Sequence, residues 1–162
     1  MKRRSPLTKN APFAFGLGLA VAFIANQGDV LAAAESTAVT IDDQGCRFSP
    51  QINRILSSLP QRSDHMQTHT ARRATRFAFE SLHGVGVVEN WDAEWSEVRL
   101  YFREDLPALK KTLVRIGLGV DGRGHVAVPM ALADELGLNI EAVANDGRYF
   151  AGARSYLACG SV

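Results

Sequence analysis

Cysteine is scarce in this chain. Only Cys46 and Cys159 occur among 162 residues, far apart in the chain, and that separation excludes a C-x-x-C redox pair. Long apolar runs are missing as well. The longest, from Ala11 to Ala25, has about 15 residues against the roughly 20 that a spanning helix needs, and Asn26, Gln27 and Asp29 interrupt it. No internal repeat, low-complexity tract or linker divides the sequence. Strong charge of either sign is also absent, the formal net charge being +1.

The short apolar run has the flanks of a secretory signal peptide. Lys2, Arg3, Arg4 and Lys9 precede it and Ala32, Ala33 and Ala34 follow, the charged, apolar, small order that export requires. Ala32 and Ala34 satisfy the small-x-small rule, which places cleavage after Ala34, with cleavage after Ala32 as the second choice. Residues 1–34 are thus expected to be removed, and 35–162 to form one exported domain of about 128 residues, periplasmic or extracellular. No cysteine follows the cut directly, so no lipid anchor is expected, and no membrane span remains. Taking four of the 18 Lys and Arg and one of the 17 Asp and Glu away leaves 14 against 16, a formal charge of about −2. Without clustered positive charge, nucleic acid is excluded as a partner. In an oxidising compartment Cys46 and Cys159 have only each other, which predicts one disulfide tying the two ends of the domain together.

The usual marks of catalysis and cofactor binding fail one by one. Gly117, Gly119 and Gly122 spell G-x-G-x-x-G, but they follow a helical pattern instead of a strand, so the spelling describes a helix cap and a turn. His65 and His69 have the four-residue spacing of a shared metal, with His83 or His125 available as a third ligand for copper or zinc. Residues 66 to 68 are Met, Gln and Thr, however, so the glutamate of a zinc protease is missing and the histidines read as solvated loop residues. Ser81 and Ser155 lack a nucleophile elbow. No metal and no cofactor is expected.

The clearest architecture lies between Trp95 and Gly117. Val98, Leu100 and Phe102 alternate with Glu97, Arg99 and Tyr101, which predicts a strand with one apolar face and a polar or amphipathic opposite face. Asp105 then offers an N-cap, Pro107 suits a first turn, Leu106, Leu109, Leu113 and Ile116 recur at helical spacing, and Gly117 suits the left-handed cap. Upstream, residues 35 to 45 read as an unpatterned leader. Ser49 and Pro50 open a helix carrying Ile52, Ile55, Leu56 and Leu59, Gln61 to Thr70 read as a loop, and a strand begins at Thr75. Val85, Val87 and Val88 form the next strand, turned by Glu89 to Glu94 into the Trp95 strand. Downstream, two short strands flank Asp121 to Gly124, Pro129 opens a short helix ended by Gly137, and Ile140 to Ala144 pairs with Arg148 to Cys159 across Asn145-Asp146-Gly147. The fold class is α+β: one antiparallel sheet with two or three helices packed on one side.

A binding surface suggests itself where Trp91 and Trp95 stand among Glu89, Asp92, Glu94 and Glu97. Trp91, Asp92, Glu94, Trp95 and Glu97 suit three readings. A rigid aromatic anchor ringed by negative charge is the composition that recognises a basic protein, as in an inhibitor or immunity-type module of the cell envelope. Tryptophan planes beside carboxylates also suit an envelope glycan, bound or hydrolysed by two of Asp92, Glu94 and Glu97. The third reading is two core tryptophans with acids that solvate a turn. Arg47, Arg54, Arg62, Arg72, Arg73 and Arg76, together with Lys110, Lys111 and Arg115, form solvated faces that would suit an anionic envelope polymer. With no nucleophile or metal motif, the non-catalytic protein-binding module is the function expected. Amino-terminal sequencing of the exported protein is predicted to start at Glu35; a membrane-embedded product starting at Met1 would overturn the export reading.

Overall fold

Alternation and capping build the strand-to-helix unit as expected. The computed structural model describes residues 38–61 and 68–161, so the signal-peptide segment and His65 lie outside the described residues. Ser96–Phe102 is a strand, and the helix after it, Leu106–Arg115, buries Leu109 and Leu113. The Asp105 carboxylate accepts a hydrogen bond from the Ala108 amide at 3.1 Å, and Gly117 closes the helix at φ 92°. In chain order the elements are β1 (Val39–Asp42), β2 (Gly45–Phe48), α1 (Pro50–Ser57), β3 (His69–Phe79), β4 (Leu82–Trp91), β5 (Ser96–Phe102), α2 (Leu106–Arg115), α3 (Met130–Leu136), β6 (Asn139–Ala144) and β7 (Ser155–Ser161). Five strands make an antiparallel sheet in the order β3-β4-β5-β7-β6, and β1 and β2 form a separate hairpin. The fold is therefore a small single α+β domain.

One face of the sheet carries the main core. Phe79, Val87, Leu100, Phe102, Ile140 and Leu157 meet Ile52 of α1 and Leu109 and Leu113 of α2, all of them buried. The apolar helix stripes read from the sequence are what this face requires. Ser49 caps α1 at the Ile52 amide, and Pro50 fills its first turn. Cys46 of β2 and Cys159 of β7 form the expected disulfide, with 6.5 Å between Cα atoms and 113 residues between them in sequence. It fastens the small hairpin to a strand inside the large sheet.

Several segments differ from the sequence expectation. Residues 35–45 are not a plain leader, because β1 and the start of β2 fall within them. Asp42 accepts from the Gln44 amide and pairs with Arg47, Gly45 takes φ 99°, and Val39 is buried. Two four-residue strands carry too few alternating residues to show a period. Strand β3 starts at His69 instead of Thr75. It is an edge strand whose Arg72, Arg73 and Ala74 are all exposed, and a bulge between Ala74 and Phe77 breaks its alternation. The strands expected around Asp121 reduce to isolated bridges, Val120 to Val126 and His125 to Glu141. The Asp121 carboxylate gathers the amides of Arg123, Gly124 and His125 at 2.7 to 2.9 Å, which closes a tight loop. Burial acts to raise the Asp121 pKa, but those amides and the His125 charge hold it below the usual carboxylate range.

The second face of the sheet is also covered, which alternation alone did not reveal. Residues 145–154 do not extend β7. With Gly147 at φ 82° and Gly152 at φ 86° they fold back, laying Tyr149 and Phe150 over Val88, Tyr101 and Tyr156. The end of the Phe150 ring sits so close to Gly86 that a Cβ there would stand 2.5 Å from it. Tyr101, expected on a polar or amphipathic face, points to that face but is 1% exposed, with Phe150 and Tyr156 ring centres each 5.1 Å away. Burial pushes its hydroxyl up to about 12, overcoming the opposing hydrogen bond and charge of Arg99. The unfolded chain ionises this group near 10. Below that pH the phenol is neutral in both states; above it the unfolded state ionises first, so Tyr101's contribution to stability is lost as pH rises from 10 towards 12. Urea unfolding at stepped pH should show a decline across that window that is smaller in Tyr101→Phe. For the disulfide, replacing Cys46 and Cys159 by serine should cost about 5 kcal/mol in the same assay, the value expected for a closed loop of this length. A loss below about 1 kcal/mol would show that the ends are held by packing alone.

Candidate functional site

The β4–β5 hairpin ends in a turn fixed by its first residue. The Asp92 Oδ1 accepts hydrogen bonds from the amides of Glu94 and Trp95 at 2.8 and 2.9 Å, and the Asp92 amide donates to the Trp95 carbonyl at 3.0 Å. This local competition for backbone donors is what aspartate does best, and it sets the tip without long-range help. The side chains that follow are thereby aimed.

Register determines which of them share a face. Trp91 pairs with Ser96 and Asn90 with Glu97, so Glu89, Trp91 and Ser96 look towards the helices while Asn90 and Glu97 look the other way. On the helix side the turn, the end of β4 and the carboxyl end of α1 enclose an open groove of about 620 Å³. Trp91, Asp92, Glu94 and Trp95 line it, joined by Glu89 from β4 and Leu56 from α1. Trp95 is 39% exposed, one of the few large apolar side chains left in solvent. Trp91 is half-buried, and its indole stacks on the His69 ring with 4.2 Å between centres and 21° between planes. Neither tryptophan belongs to the main core. Among the described residues, Glu89, Asp92 and Glu94 meet no basic side chain within ion-pair distance, whereas Glu97, Glu104 and Glu141 each do.

Glu97 is separated from this group by the sheet. Its carboxylate accepts from Asn90 Nδ2 at 3.3 Å and from Arg99 Nε, and Arg99 in turn lies 5.3 Å above the Tyr156 ring. The Arg99 pKa is raised: burial works against the charge, and Glu97 outweighs it. The structure thus brings Trp91, Asp92, Glu94 and Trp95 together and leaves Glu97 on the opposite face. No local signal marks Leu56 and Ser57 at the end of α1, or Gln61 just beyond it, which line the groove from more than 25 residues away. Glu89 was accessible, since it stands two residues before Trp91 in a strand and therefore on its face.

Of the residues singled out for metal, the described ones do not gather. His69 is stacked on Trp91, His83 pairs with Glu104 at 2.6 Å and His125 with Glu141 at 3.2 Å. Among the described residues no group of three His, Cys, Asp or Glu is placed to hold an ion. Gly117 caps α2 and Gly119 and Gly122 follow in the loop, so the glycine triplet has the helix-then-turn context read from the sequence. No described helix is long and apolar enough to cross a membrane. Comparison of the chain with protein-family models, curated proteins and solved structures returns no match.

Proposed function

We propose that the protein is a non-catalytic binding module of the cell envelope, acting after export and signal cleavage, that holds a basic segment of a partner protein in the Trp91–Trp95 groove. One observation carries the reading. Three carboxylates, Glu89, Asp92 and Glu94, converge with two tryptophans in one groove and have no basic side chain of their own among the described residues. A lysine or arginine side chain entering there gains charge-assisted hydrogen bonds from the acids and cation–π contact with an indole face. The turn is already fixed by Asp92, so little ordering opposes binding. The disulfide and the absence of a spanning helix among the described residues are compatible with an exported protein.

The concave shape of the groove also favours a second reading, a glycan strand stacked on Trp95. Hydrolysis by two of the three acids named from the sequence meets an obstacle here. Glu97 lies across the sheet, and Asp92 Oδ1 is occupied by turn amides.

Titration with a lysine-rich peptide and with a neutral envelope glycan separates the two readings. The peptide should bind with strong salt dependence, weakened about 30-fold or more by Trp95→Ala and comparably by Glu89→Gln with Glu94→Gln, with thermal stability little changed. Saturable glycan binding that survives the two glutamine changes would favour the second reading. Loss of folding on Trp95→Ala would make that tryptophan structural.

A further inference from the structure

The far end of the sheet carries a second recess, lined by basic side chains. Beside the bulge of β3 between Ala74 and Phe77, strand β4 shifts register between Gly84 and Gly86, and the two irregularities are in contact because Phe77 pairs with Gly84. Paired bulges re-aim side chains and leave ladder positions open. Here Phe77 lies across Gly84, where a Cβ would stand 2.3 Å from its ring, and with Leu82 it forms an apolar floor. Above that floor lies a recess of about 550 Å³, adjoined by another of about 500 Å³ lined by Ala74, Val85 and Gly152; Arg76 and Arg103 line both.

Arg47, Arg99 and Arg154 pair with Asp42, Glu97 and Asp105, while Arg73 and Arg115 donate to Ser58 and Ser81. Neither Arg76 nor Arg103 has a carboxylate within ion-pair distance among the described residues. Arg54, Arg72, Arg123 and Arg148 likewise have no carboxylate partner among the described residues, but only Arg76 and Arg103 line these recesses. A third nitrogen group stands beside them. Glu104 holds His83 Nδ1 at 2.6 Å and takes the His83 amide at 2.9 Å, which fixes the imidazole and leaves Nε2 to the solvent side. The Arg103 amide donates to the His83 carbonyl at 3.1 Å, so the guanidinium and the imidazole spring from hydrogen-bonded neighbours. Glu80, at φ 54° in the β3–β4 turn, is the one carboxylate among the described residues that lines the recess, where two guanidinium groups outnumber it.

We infer that this recess binds a small carboxylic acid with an apolar body, its carboxylate held by Arg76 and Arg103 and its body laid on Phe77 and Leu82. The volume lies within the range of small-molecule sites, and planar guanidinium forks match a carboxylate in pairs. The site is independent of the Trp91–Trp95 groove, which has the opposite charge.

The test uses octanoate below its micelle concentration as the probe, with acetate lacking the body and octanol lacking the charge, read by amide NMR of the oxidised mature protein. Octanoate should shift Arg76, Leu82, His83, Gly84 and Arg103 saturably. Acetate and octanol should bind about tenfold more weakly or worse, and Arg76→Gln with Arg103→Gln should weaken octanoate about tenfold or more while the rest of the spectrum stays in place. Both arginines are exposed, so the double variant should fold. Equal affinity in the double variant, equal binding of octanol or of acetate, or shifts confined to the Trp91–Trp95 groove would each overturn the inference.

Discussion

The Cys46–Cys159 bond is the constraint on which the arrangement of layers depends. Without it the β1–β2 hairpin, a pair of four-residue strands too small to persist alone, would rest on the packing of Val39, Ile41 and Phe48 against the core. Fixed to β7, the hairpin delivers the chain into α1 at a set place: the Ser49 amide donates to the Ala38 carbonyl, and Ser49 caps the helix immediately afterwards. The carboxyl end of α1 is then one wall of the acidic groove, and the β4–β5 tip is the other. A covalent link at one end of the sheet thus reaches the binding surface through a single short helix.

Burial on two faces explains the rest of the economy of the fold. A sheet covered only by helices would leave Val88 and Tyr101 in water. The segment 145–154 prevents this by turning twice at glycines and covering them with Tyr149 and Phe150. That cover is aromatic and thin, and it leaves the end of the sheet near Asn90 and Glu97 free for polar side chains. The division of charge follows the same geometry. Acids without a basic partner among the described residues collect at the β4–β5 tip, and two guanidinium groups without a carboxylate partner among them collect beside the bulges at the opposite ends of those strands.

Local chemistry made part of this legible in the sequence. Ser49, Asp105, Gly117 and Gly137 mark helix ends through interactions spanning three or four residues, and each stands where its chemistry places it. The cysteine pairing followed from count together with the expected export. What escaped depends on contacts between distant segments: the β1–β2 hairpin acquires a strand's conformation only when Val39 is buried, and Tyr149 and Phe150 alternate with nothing because they cover another element. For the candidate site, the tryptophans and acids were visible as a cluster. The face of each was readable once strand register was known, which moved Glu97 away from Trp91. The α1 wall had no local signal at all.

The edge strand β3 has a consequence for crowded conditions. Eleven residues of open ladder would ordinarily template a second copy of the same chain. On this one, Gln51 receives the Ala78 amide and Arg73 is tied to Ser58, while Arg72 stays exposed before the bulge and Arg76 within it. Two such edges meeting would bring guanidinium groups against guanidinium groups around a kink. Self-polymerisation through β3 is therefore opposed by like charge and by shape together. Because salt screens only the first of these, the kink remains as the barrier that ionic strength does not remove.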